Sequence, residues 1–122
     1  MDHNFKQMQL KTLDQHLTKV DIPHRPNAGW ICTVRKSLGM SVRQLASRLN
    51  IAQQSASKLE ANEVSDTITL KSLRKMAEAM DCKLVYAIVP NKNSLEGIIK
   101  KQAMKKAQDI TEPVAHSMKM ED

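Results

Sequence analysis

Between Ser41 and Glu60 the small and apolar residues fall in an order that leaves few folds open. Leu45, Ala46 and Leu49 recur at helical spacing behind Ser41, a residue type that caps helix N-termini. Asn50 follows where a left-handed residue would end that helix, a conformation Asn tolerates. After Ile51 and Ala52 a second helix is predicted from Gln53 to Ala61, with Ala56 and Leu59 facing inward. Ala46 would let the two helices cross closely, Ile51 would plug the turn, and Ala56 with Leu59 would pin the second helix to a core. That leaves Gln53, Gln54, Ser57 and Lys58 pointing outward near the start of the second helix.

The rest of the chain is also mostly helical in pattern. Leu10, Leu13, Leu17 and Val20 predict an amphipathic helix over residues 4–20, ended by the linker that holds Pro23 and Pro26. From Ala28 the pattern restarts with Trp30, Ile31, Val34 and Leu38 on one face, closed by Gly39. Asn62 is expected as a second left-handed cap. Thr67 or Thr69 then caps a helix through Met80, burying Leu70, Leu73, Met76, Ala77 and Met80.

At Lys83 the period changes. Leu84, Val85, Tyr86, Ala87, Ile88 and Val89 are apolar on both faces and stop at Pro90-Asn91, which predicts a strand. A lone strand has an open edge, and pairing with the same strand of a second copy closes it, so a homodimer is expected. Ser94–Gln108 reads as a basic amphipathic helix with Leu95, Ile98 and Ile99, and residues 111–122 as a frayed end. The expected divisions are an N-terminal helix and linker (1–24), a helical domain (25–81), a dimerisation strand (82–90) and a C-terminal basic helix with its tail (91–122).

Charge is concentrated. The chain carries a net +6 over 122 residues. Residues 25–62 hold Arg25, Arg35, Lys36, Arg43, Arg48 and Lys58 against Glu60 alone, while the flanking stretches nearly balance. A local basic excess is the electrostatic footprint of a phosphate-backbone binder, although a solvated basic face has the same composition.

Several classes of chemistry are excluded. With three glycines in the chain, no Gly-rich loop exists to cradle a nucleotide's phosphates. His3, His16, His24 and His116 show no metal-ligand spacing with each other or with Cys32 and Cys82, so no metal is expected. Cys32 sits in a helical stretch with no nearby His and reads as a small packing thiol rather than a nucleophile. No catalytic residues, no cofactor and no enzyme activity are expected. No apolar run approaches the roughly 20 residues of a membrane helix. The start Met1-Asp2-His3-Asn4 lacks a basic, then apolar, leader, so a cytoplasmic protein with reduced thiols is expected.

Two short helices across a tight turn, inside a basic block, describe a helix-turn-helix. Residues 40–51, then Gln53-Gln54-Ser55 and Leu59-Glu60, resemble the Xre-type (Cro/C1-type) helix-turn-helix of lambdoid phage repressors. Arg25-Pro26, Gly29-Trp30-Ile31, residues 38–41, residues 67–70 and residues 84–90 add a resemblance to the bacterial family called mobile mystery protein A. That family is similar to HipB-like antitoxins, which dimerise through a C-terminal strand, and its usual neighbour carries a Fic domain.

The resemblance implies a mainly α fold: a lambda-repressor-like bundle, one C-terminal strand pairing across a dimer, and flanking N- and C-terminal helices. It also implies an autorepressing, antitoxin-like regulator that binds an inverted repeat in double-stranded DNA and pairs with a Fic-domain toxin. Carried over by residue, Gln53 and Gln54 match glutamines that read adenine edges, while Ser57 and Lys58 occupy further base-facing positions. Ser41, Arg43, Gln44 and Ser55 would hold backbone phosphates. Arg35 and Glu60 match a structural ion pair between helices. Val42 departs from a phosphate-binding Gln, and Asn50 and Asn62 replace the usual glycines. The alternative is a protein-interaction module, or an antitoxin without specific DNA readout, in which Gln53 and Gln54 are ordinary surface residues.

Overall fold

A computed structural model describes residues 3–92 and 94–121, with side chains through residue 109. His116 therefore lies outside the described side chains. The described chain is helical: α1 (His3–Thr18), α2 (Trp30–Ser37), α3 (Val42–Leu49), α4 (Gln53–Val64), α5 (Leu70–Ala79) and α6 (Leu95–Glu121). It divides into two compact units, Pro23–Tyr86 and Met1–Ile22 with Ala87–Asp122.

The first unit holds α2–α5 around a small core of Ile31, Met40, Leu45, Met76 and Met80, with Val34, Leu49, Leu59, Ile68 and Leu73 packed against it. Leu45 and Met76 are fully buried. Of the four core residues besides Met40, Ile31 comes from α2, Leu45 from α3, Met76 from α5 and Met80 from its C-cap, so the short helices hold one another rather than standing alone. Among the described residues, no buried side-chain nitrogen or oxygen lacks a hydrogen-bond partner.

The helix ends are individually specified. Ser41 and Gln44 form a capping box on α3: Ser41 Oγ accepts from the Gln44 N–H at 3.0 Å, and Gln44 Oε1 accepts from the Ser41 N–H at 2.8 Å. Asn50 closes α3 in the left-handed region (φ 57°), and the Ile51 N–H reaches back to the Ala46 carbonyl at 3.0 Å. Thr69, not Thr67, caps α5 by accepting from the Ser72 N–H.

The end of α4 differs from the sequence expectation. Asn62 is not a left-handed cap; α4 continues to Val64, and Asp66 takes the positive φ of 62°. The Asn62 carbonyl instead accepts from the N–H groups of Thr67 (2.8 Å) and Ile68 (3.2 Å), which ties the following loop under the helix. Arg25 satisfies the last carbonyls, donating to Glu63 O at 2.8 Å and Val64 O at 3.3 Å, and pairs with Asp66 at 2.7 Å.

Four expected core residues are more open than their spacing suggests. Trp30, Leu38, Ile51 and Leu70 are all exposed, so Ile51 does not fill the turn. Each lies at or next to a helix terminus or in the turn.

The expected strand is not formed. Leu84, Val85, Tyr86, Ala87, Ile88 and Val89 adopt no regular secondary structure, and no strand occurs among the described residues. A strand exists through its ladder, and no second strand among the described residues offers one. Leu84 is half-buried, while Val85, Tyr86 and Val89 are exposed and Ile88 is 90% exposed. Tyr86 is held on α5, its ring 5.7 Å from the Arg74 guanidinium and its hydroxyl accepting from Arg74 Nη2 at 3.2 Å.

The second unit contains α1 and α6. The Asp14 carboxylate accepts the N–H groups of Leu95 (2.7 Å) and Glu96 (3.2 Å), capping α6 from another helix. The helix expected to end near Gln108 runs on to Glu121.

Candidate nucleic-acid interface

The candidate interface is built on the crossing of α3 and α4. Ala46 and Ala56 are buried where the two helices pack, and their methyl side chains permit the close approach. Leu59 is half-buried against the core. With Ala56 and Leu59 turned inward, Gln53, Gln54, Ser55, Ser57 and Lys58 are all exposed. Gln53, Gln54 and Ser57 line one shallow concavity together with Ala52.

The start of α4 is open in a second sense. Its N-cap is Ala52, which supplies no side-chain hydrogen bond. The first N–H groups of α4 therefore keep their partial positive charge for an outside acceptor. At the start of α3 the situation is reversed, because the capping box already occupies the Gln44 N–H. Ser41 keeps its hydroxyl hydrogen as a donor, Gln44 keeps its Nε2 amide, and Arg43 is exposed beside them.

Arg35 and Glu60 lie on α2 and α4 and meet in a two-pronged ion pair. Arg35 Nε donates to Glu60 Oε2 at 2.7 Å and Nη2 donates to Oε1 at 3.1 Å. Arg35 also donates to the Met40 carbonyl at 2.9 Å, so one guanidinium joins α2, α4 and the loop before α3. The hydrogen bond to Glu60 raises the Arg35 pKa above its ordinary high value, against the opposing effect of burial.

A second carboxylate was not singled out in the sequence. Glu63 is buried and accepts the N–H groups of Trp30 (2.8 Å) and Ile31 (2.9 Å), capping α2 from the far end of α4. Its signal was Gly29, which has a φ of 89° and lies where a side chain would strike Glu63. Together the two carboxylates fix the start and the end of α2 to one face of α4, and so set the angle at which α4 stands.

The basic block is only partly available. Arg25 serves the end of α4, Arg35 is paired with Glu60, and Arg48 donates to the Ala79 carbonyl at 3.0 Å. Lys36, Arg43 and Lys58 are exposed and have no side-chain partner among the described residues. Arg43 and Lys58 belong to the two crossing helices, so the usable charge lies with the exposed glutamines. Among the described residues, no cluster of His, Cys, Asp or Glu could hold a metal ion, and no helix is long and apolar enough to cross a membrane.

Residues 33–86 match a family model described as helix-turn-helix, a stretch that contains α3, α4 and α5 and most of α2. No curated protein and no solved structure matches the chain.

Proposed function

On the premise that residues 33–86 are a helix-turn-helix of the Xre (Cro/C1) type, we propose that this protein is a dimeric, sequence-specific DNA-binding regulator whose α4 enters the major groove. One observation carries the reading. The N-terminal half of α4 exposes Gln53, Gln54, Ser57 and Lys58 around an uncapped helix start, while the opposite side of the same half-helix is buried at Ala56. A Gln amide matches the N6/N7 edge of adenine in bidentate fashion, and Lys58 suits guanine or a phosphate. Ser41, Arg43, Gln44 and Ser55 flank this set and take backbone phosphates, which orient the helix without reading sequence.

In a dimer Leu84–Val89 of two copies pair into a ribbon, each supplying the ladder partner of the other. Two copies place two α4 helices on one face of the duplex, so the site is an inverted repeat with half-sites about one helical turn apart. The resemblance to mobile mystery protein A extends the reading to an autorepressing antitoxin with a Fic-domain partner.

Selection of bound fragments from the source genome by the purified chain tests this reading, at near-physiological salt because salt sets the sequence-blind background. The expected product is an inverted repeat upstream of the protein's own gene. Recovery of fragments without a common sequence would contradict it.

A further inference from the structure

Charge is segregated along α6. Residues 97–108 hold Lys100, Lys101, Lys105 and Lys106 with no Asp or Glu, and no other stretch of that length in the chain is as basic. All four lysines are exposed, and none has a side-chain partner among the described residues. Glu96 and Asp109 stand one helical turn from Lys100 and Lys105, yet neither forms an ion pair with them. Lys101 and Lys105 are also one turn apart, so two like charges lie side by side on the helix surface. That arrangement weakens a helix, and an anion laid against it relieves the repulsion.

The pattern selects the anion. At about 100° per residue, Lys100, Lys101 and Lys105 fall within about 140° of one another. From Lys100 to Lys106 the helix advances about 9 Å, a length over which duplex DNA carries about five phosphates. A lipid surface would need one continuous apolar face set apart from the charge. Around α6, Met104 instead falls between Lys100 and Lys101, and Ile98 between Lys105 and Lys106, so charge and apolar surface interleave.

The chain also has a use for more cations. Of the basic block at residues 25–62, only Lys36, Arg43 and Lys58 are free for phosphate, and the α6 lysines more than double that set. Residues 87–94 join α6 to the helix-turn-helix unit, a tether of at most about 29 Å. Once α4 is docked, such a short tether presents the lysines to the same duplex at an effective concentration on the order of millimolar.

We propose that residues 97–108 of α6 make a second, sequence-blind contact with duplex DNA, in which Lys100, Lys101 and Lys105 take backbone phosphates while α4 reads the bases. This contact rests on the DNA-binding reading above and adds to it a surface outside the helix-turn-helix.

Salt titrations of the full chain, on its selected inverted repeat and on a scrambled duplex, test it with Lys100→Gln/Lys101→Gln/Lys105→Gln. Gln has about the helix propensity of Lys, so α6 is kept. As a control, Lys6→Gln/Lys11→Gln/Lys19→Gln removes the same charge from the same unit, where Asp14 and Asp21 lie among the lysines. In the α6 variant the slope of log affinity against log salt should fall by about 2–3, and affinity for both duplexes by about tenfold or more at near-physiological salt, leaving their ratio unchanged. The control should change the slope by less than about 1. An α6 variant that matches wild type, while the preference for the repeat still depends on Gln53 and Gln54, overturns this inference alone. Equal losses in the α6 variant and the control overturn it too, because net charge then accounts for the effect. Unchanged DNA binding with lost pelleting on phosphatidylserine vesicles would place the lysines on a membrane instead. A wild-type chain that binds neither duplex overturns both the inference and the DNA-binding reading.

Discussion

A Cβ placed on Gly29 would lie 2.8 Å from Oε1 of Glu63. Gly29 is thus the residue that lets a carboxylate at the end of α4 reach the N–H groups of Trp30 and Ile31. Its φ of 89° is a region that L side chains rarely adopt. The consequence for the interface is geometric: the start of α2 is bolted to α4, the helix proposed to read DNA.

Gly29→Ala should therefore destabilise the domain by about 2–4 kcal/mol, combining backbone strain with displacement of the Glu63 carboxylate. Urea denaturation of the pure protein, followed by Trp30 fluorescence, measures it. A change within about 0.5 kcal/mol, the scale of an ordinary surface substitution, would show that the contact is not needed.

Arg35 and Glu60 make the second tie between α2 and α4, and it is nearly buried, with side-chain exposures of 9% and 12%. Arg35→Met alone should cost about 3–5 kcal/mol because it strands a buried carboxylate. The double variant Arg35→Met/Glu60→Leu should recover much of that loss, which a double-mutant cycle in urea would reveal. If the two single losses simply add, the side chains are not coupled.

The same pair fixes a pH expectation. Glu60 raises the folded-state pKa of Arg35. A raised basic group gives stability that is complete below its unfolded-state pKa and lost only as pH rises through the folded value. For a guanidinium that window lies far above neutrality, so this contribution should be constant from pH 7 to about pH 10. Denaturation midpoints for wild type and Arg35→Met should run parallel over that range; curves that converge as pH rises would contradict the assignment.

Arg43 and Lys58 are proposed to act through phosphate and base edges respectively, and their losses should look different. Arg43→Ala should weaken all DNA sequences about equally and reduce the salt slope of binding by about 1. Lys58→Ala should also change the preference at one position if it reads guanine. Fluorescence anisotropy titrations across several salt concentrations separate the two; an Arg43→Ala effect confined to one sequence would reverse the roles.

Much of the helical core was legible because its signals are local. Ser41, Asn50 and Thr69 announce helix ends by side-chain chemistry that needs no distant partner. Ala46 and Ala56 announce the crossing by size alone. What was not legible depends on the third dimension. Glu63 looks like any helix-surface acid until Gly29 is known to lie against it. Arg25 counted as free positive charge but serves the carboxyl end of α4, 38 residues away from its carbonyl partner at Glu63. Leu84–Val89 has a strand's composition, yet a ladder needs a second strand, and none occurs among the described residues.

The central claim is that Gln53 and Gln54 read sequence, and the most direct measurement is a ratio. Affinity of the full chain for its selected inverted repeat is divided by its affinity for a scrambled duplex, at one near-physiological salt concentration, for wild type and for Gln53→Ala/Gln54→Ala. The expected wild-type ratio is at least about 10³. The variant should lose about 1–3 kcal/mol of discrimination for each bidentate contact removed, with its affinity for scrambled DNA little changed. Equal wild-type affinity for both duplexes, or a ratio that survives the double substitution intact, would contradict it.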